Sequence, residues 1–143
     1  MKRFIEWIRL KEKIDQSSAQ PQFSTGEVWW CNVGENIGSE INGKSTHFTR
    51  PVLVFRKFTY NTFFGLPLTS KITYGTWYAV ITFKYTKQSV ILNQGRTFNV
   101  KRLRGRMGQL NEADFTKVKV GFHRLFFDIS SLPRGSRENP EYE

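Results

Sequence analysis

The sequence predicts a mainly β domain (α+β), an antiparallel sheet or small barrel with one helix ahead of it and another closing it. From Gly26 to Met107, short β-branched and aromatic runs alternate with turn residues, the pattern of a sheet built from short strands. The flanks instead space their apolar residues as helices do. The 143 residues suffice for one core and are few for two. Thirteen Phe and four Trp, spread along the chain, mark it as folded. The expected organisation is residues 1–25 as helix and linker, 26–127 as the β domain with its terminal helix, and 128–143 as a flexible tail.

At the N-terminus Phe4, Trp7, Ile8 and Ile14 recur at helical spacing among charges, predicting an amphipathic helix to about residue 15, then a polar linker from Gln16 to Ser24. Such a helix suits packing on its own domain, a dimer arm, a lid or a membrane-surface contact. Strand-like runs follow at Val28 to Val33, Pro51 to Phe58, Thr62 to Leu68, Trp77 to Phe83 and Ser89 to Leu92, with a basic run from Lys101 to Met107. Gly34 to Thr49 is long, polar and glycine-containing, which predicts a mobile loop. Asn111 has the character of a helix N-cap with acids in the first turn behind it, and Leu110 and Phe115 occupy the two positions of a hydrophobic staple. Phe115, Val118, Phe122, Leu125 and Phe126 then form the stripe of a closing helix. The Pro, Gly and Ser residues after Phe127 predict a frayed end.

The formal charge of +10 comes from 22 Lys and Arg against 12 Asp and Glu, and points to a polyanionic partner. Between Ile41 and Asn111 there is no acid at all, whereas a surface tuned only for solubility intersperses both signs. That gap also excludes the clustered carboxylates of two-metal nucleases. One Cys and two His without ligand spacing exclude an ordinary zinc site, so no metal and no cofactor are expected. Cys31, in a strand-like run, reads as a small buried hydrophobe. His47 in the loop and His123 at the edge of the helix stripe lie too far apart in sequence to suggest a pair. No run is long enough to span a bilayer and no signal peptide is evident, so the expected compartment is the cytoplasm. What remains is electrostatic stabilisation by Arg, helped by hydroxyls and by one loop carboxylate, Glu35 or Glu40. RNA supplies its own nucleophile in the 2′-hydroxyl, so a site acting on it needs few groups.

Four segments, Gly26-Glu27-Val28-Trp29, Gly38-Ser39-Glu40, Arg50-Pro51-Val52-Leu53-Val54 and Pro67-Leu68-Thr69-Ser70, resemble in order and spacing those of the MazF/PemK toxins. The resemblance covers about Gly26 to Phe127. It implies an SH3-like small barrel of the MazF/PemK/CcdB type, with an additional N-terminal helix. It also implies a homodimer that cleaves single-stranded RNA at short sequences by 2′-hydroxyl attack, and a cognate antitoxin that occupies the RNA groove. By the same resemblance Arg50 and Thr69 are the catalytic pair and Glu40 lies in the substrate-binding loop. Ser70 beside Thr69, and Lys101, Arg102 and Arg104 of the basic run, complete the expected substrate-binding set. Lys44 to Thr49 and the N-terminal helix are additions to the family's compact core. Because every motif of the site begins after Gly26, that helix is expected to be dispensable for chemistry. Two other readings use the same features. A CcdB-like gyrase poison would share the barrel without needing Arg50 and Thr69, and a noncatalytic RNA-binding module would need only the basic run and the aromatics.

Overall fold

The computed structural model describes residues 1–127; the expected tail at 128–143 lies outside the described residues. Helix α1 (Phe4–Gln16) leads into strands β1 (Glu27–Asn32), β2 (Thr49–Lys57), β3 (Thr62–Thr69), β4 (Tyr78–Phe83), β5 (Thr86–Ile91), β6 (Arg96–Asn99) and β7 (Leu103–Gln109), and helix α2 (Glu112–Phe127) follows. The seven strands form one antiparallel sheet in the order β4-β5-β3-β2-β1-β7, with β6 also paired to β3. The sheet stays open but curls. A Cβ on Gly108 of β7 would lie 3.1 Å from the Phe83 ring of β4, so its two edges approach one another in the manner of a small barrel.

Alternation along the strands builds two cores. Val28, Leu53, Leu66 and Leu68 point to one face, where Ile81, Phe83, Leu92 and Val118 of α2 join them. Cys31, Val52, Val54, Phe63, Phe98 and Val100 fill the other. The start of α2 follows from local chemistry: the Asn111 side chain accepts from the Asp114 amide at 2.7 Å, and Leu110 and Phe115 meet in the first core.

Strand β6 has no counterpart among the strand-like runs of the sequence. Its four residues are too short and too polar to show a period, and its existence depends on the pairing of Thr62 to Gly65 with Asn99 to Arg96. The basic run also divides, because Val100 to Arg102 form a 3-10 turn before β7 begins.

The segment from Gly34 to Thr49 departs from the expected mobile loop, because it is cross-linked along its length. Gly43 donates to the Gly34 carbonyl at 2.7 Å, Lys44 and Thr49 exchange backbone hydrogen bonds, and the Ile41 amide reaches the Gln94 side chain at 2.7 Å. Its polar composition reflects amide side chains that satisfy its own backbone, as when Asn36 donates to Ile41. Helix α1 lies on this loop, with Trp7, Leu10 and Ile14 forming a satellite core around Phe48.

Candidate active site

A cleft opens where the sheet divides. Strand β3 pairs with β2 only as far as Pro67↔Val52, and its last residues, Leu68 and Thr69, pair instead with Val90 and Ser89 of β5. At Arg50 and Pro51, β2 therefore has only β1 beside it, which lets a proline sit in an otherwise central strand. The resulting cavity, about 580 Å³, is lined by Trp30, Lys44, Ser45, Thr49, Arg50, Pro51, Leu68, Thr69, Ser70, Gln88 and Met107.

Arg50 sits deep in this gap at 9% exposure. Its Nε donates to the Asn42 carbonyl at 2.8 Å and its Nη1 to the Leu68 carbonyl at 3.2 Å. Two neutral carbonyls hold the guanidinium plane while its remaining N–H groups are left for a ligand. Among the described residues no carboxylate forms an ion pair with it. Burial lowers its pKa, so the charge is desolvated but not neutralised by a neighbour. A cation in that state favours an anionic ligand. Thr69, next in the chain to Leu68, lines the same cleft. Its Oγ1 accepts from the Lys71 amide at 3.2 Å, so the hydroxyl proton is free to donate.

The structure brings Arg50, Thr69 and Ser70 together and leaves the other expected site residues elsewhere. Glu40 folds its carboxylate back onto the Ile37 amide at 2.9 Å and borders a separate hollow with Asn36, Gln94 and Arg96. Glu35 accepts from the Arg3 amide at 2.8 Å. Neither loop carboxylate reaches the Arg50 cleft, whose charged lining among the described residues is Lys44 and Arg50. Lys101 donates to the Asp15 carbonyl and Arg102 to the Asn32 carbonyl, both at 2.8 Å, under α1. Burial lowers the Arg102 pKa, and Arg96 adds to the shift. Arg104 borders a shallow hollow with Trp30, His47 and Thr49, next to the Arg50 cleft through the shared Trp30 and Thr49.

Sequence reasoning missed Trp30, Lys44 and Ser45. For Trp30 a partial signal existed: adjacent aromatics on a strand face opposite ways, so Trp29 and Trp30 could not both join the same core. Trp29 is buried and Trp30 is 42% exposed. Lys44 and Ser45 carried no such signal, since loop closure alone delivers them. Cys31, paired with Arg50 across β1 and β2, is fully buried, and burial pushes its thiol pKa up to about 12, which leaves it inert. Among the described residues no group of three His, Cys, Asp or Glu side chains could hold a metal ion, and no helix is long and apolar enough to cross a membrane.

A family model for the PemK-like, MazF-like toxin of type II toxin-antitoxin systems matches residues 24–126. The fold is similar to that of MazF from Deinococcus radiodurans, with a TM-score of 0.62 at 18% identity over 73% of this chain and 96% of that one. The MazE-MazF complex of the same organism gives 0.57 at 16% identity, covering 73% and 95% of the two chains. An endoribonuclease in complex with its cognate antitoxin from Mycobacterial species gives 0.53 at 14% identity, covering 71% and 91%. No curated protein matches the sequence significantly.

Proposed function

From the premise that the chain belongs to the PemK-like, MazF-like toxins of type II toxin-antitoxin systems, we propose that it is an endoribonuclease that cuts single-stranded RNA without a metal ion. The observation that carries this reading is Arg50, a desolvated guanidinium held by two backbone carbonyls in a cleft that also presents the Thr69 and Ser70 hydroxyls and, among the described residues, no carboxylate. Such a site suits phosphoryl transfer, in which the protein mainly positions groups and stabilises charge. The substrate's 2′-oxygen bonds to phosphorus and the bond to the 5′-oxygen breaks, giving a 2′,3′-cyclic phosphate and a 5′-hydroxyl. The 2′-proton passes to solvent and the leaving oxygen takes one up. Arg50 stabilises the charge that grows on the non-bridging oxygens, and Thr69 orients the phosphate.

Trp30 offers an exposed ring beside the scissile position, on which an unpaired base stacks, and Arg104 and Lys44 extend the positive surface along the strand. The proposed protein partner is a cognate antitoxin that competes for this cleft, as the antitoxin complexes among the structural relatives suggest. The active form is a homodimer working in the cytoplasm.

The test uses short single-stranded RNAs in excess EDTA. Cleavage should persist, its 5′ product should carry a cyclic phosphate, and 2′-deoxy substitution at the scissile nucleotide should block it. Loss of cutting on chelation with rescue by magnesium would refute the mechanism. Binding without any turnover would favour the noncatalytic RNA-binding reading.

A further inference from the structure

Helix α1 lies outside residues 24–126, which the family model matches, and its sequence position suggests that chemistry can do without it. Yet it is fastened to the loop that delivers Arg50, which argues for the opposite. We propose that α1 is a clamp on the loop between β1 and β2, and that Trp7 and Phe48 are positioning residues that hold Arg50 in its working orientation. This rests on the nuclease reading of the Arg50 cleft.

The chain of contacts is short. Trp7 is 5% exposed and its ring lies 5.5 Å from that of Phe48 at 51°. Arg3, at the head of α1, covers the Phe48 ring at 4.1 Å, and its amide donates to Glu35 at 2.8 Å. Phe48 is the hub of the loop. It has φ 53°, a left-handed conformation unfavourable for a bulky residue, which persists only where its surroundings impose it. Its carbonyl accepts from both Val33 at 2.9 Å and Gly34 at 3.1 Å.

Two glycines allow this packing. Gly34 has φ 94°, and a Cβ there would lie 2.4 Å from the Trp7 ring; a Cβ on Gly43 would overlap the Phe48 carbonyl. From this hub Arg50 is reached by two routes. One is the chain itself, two residues on. The other runs through Gly43 to its neighbour Asn42, whose carbonyl holds the Arg50 Nε. Removing Trp7 frees Phe48 to relax from its strained conformation, and the Asn42 carbonyl and the start of β2 lose their reference. The cation then stays near the cleft but no longer points at one place in it. That predicts loss in the chemical step more than in binding, because a phosphoryl-transfer site gains its rate from orientation.

The experiment uses the full chain with Trp7→Ala, Trp7→Phe and Glu35→Ala, the last releasing the head of α1 without altering its core. Backbone hydrogen exchange of Gly34, Gly43, Lys44 and Thr49 is compared with that of the β4 and β5 amides. Single-turnover cleavage gives the saturating rate and the half-saturating concentration separately. In Trp7→Ala the loop amides should exchange at least about tenfold faster with β4 and β5 unchanged. The saturating rate should fall by about tenfold or more, with half-saturation within about twofold. Trp7→Phe should restore most of both, and Glu35→Ala should move both in the same direction by less. Unchanged loop exchange in folded Trp7→Ala, or faster exchange at the parent cleavage rate, would overturn the clamp. If Trp7→Ala does not fold, Glu35→Ala decides by the same criteria. If the parent chain cuts no RNA, the nuclease reading fails by itself, and loop exchange still shows whether α1 holds the loop.

Discussion

The proposed site depends on one residue, Arg50, whose surroundings hold a buried cation ready for an anionic ligand. Arg50 has lost most of its water, is held at Nε and Nη1 by carbonyls, and among the described residues has no ion-pair partner, so a phosphate would be its first counter-charge. Arg50→Ala should lower the single-turnover cleavage rate by about a hundredfold or more, the scale of losing one preorganised transition-state contact. Arg50→Lys keeps the charge but cannot reach both carbonyls and a phosphate with one planar fork, and should recover little. Thr69→Ala should cost less, since a hydroxyl mainly positions. An Arg50→Ala enzyme cutting at the parent rate would sink the assignment. Arg50, Thr69 and Ser70 were legible as motif residues, whereas Lys44 and Ser45 were not, because nothing local to them indicates a pocket. They reach the cleft only because the backbone hydrogen bonds between Lys44 and Thr49 close the loop on itself.

Among elements, the basic run shows how far a one-dimensional reading carries. In sequence Lys101, Arg102, Arg104 and Arg106 look equivalent. The 3-10 turn at Val100 to Arg102 sends the first two under α1, while β7 presents Arg104 beside the cleft and pairs Arg106 with Glu27 at 2.8 Å. Arg104→Ala should therefore reduce the salt dependence of RNA binding by one contact, about 0.7 in the log–log slope for a single strand. Arg102→Ala should leave that slope unchanged and lower the melting temperature instead, since it removes the bond to Asn32 and packing near Trp7. Equal slopes for Arg104→Ala and the parent would place the RNA elsewhere.

The pairing of β1 with β7 gives a prediction in pH. Burial raises the Glu27 pKa, but hydrogen bonds from Trp29, Arg106 and the Ser24 amide outweigh it and hold the carboxyl below the usual range. A carboxyl depressed in the folded state adds stability that is fully present above its unfolded pKa, about 4.3, and is lost as pH falls through the lower folded value. Because the Arg106 side chain is half exposed and solvent screens the pair, Glu27→Gln should cost at most about 1 kcal/mol in urea unfolding at pH 7, and the difference from the parent should vanish in acid. A cost that does not change with pH would mean that shape rather than charge holds this edge.

At the scale of the whole molecule, the acid-free stretch of sequence becomes a cleft that is acid-free among the described residues, because both loop carboxylates are held away from it. Apart from Trp30 at the cleft, Phe58, Tyr60, Tyr74 and Trp77 are each more than half exposed in the single chain. A homodimer is expected, measurable by light scattering, with the interface formed mainly by the strand layer and its loops. A fully active monomer at micromolar concentration would exclude that arrangement.

By itself the sequence determined the main helices and strands and the N-cap of α2, while Arg50 and Thr69 as the proposed catalytic pair rest on the short motifs that carry the family resemblance. Each of these follows from local spacing or from a short motif, and local steric and hydrogen-bonding rules act on neighbours along the chain. Tertiary structure alone decided that β3 changes partners at Leu68 and so opens the cleft, that β6 exists, that Glu35 and Glu40 turn away from Arg50, and that α1 seats Trp7 on Phe48. These features arise from contacts between residues far apart in sequence, where the deciding quantity is which surfaces can be buried together, and no periodicity within one segment records that.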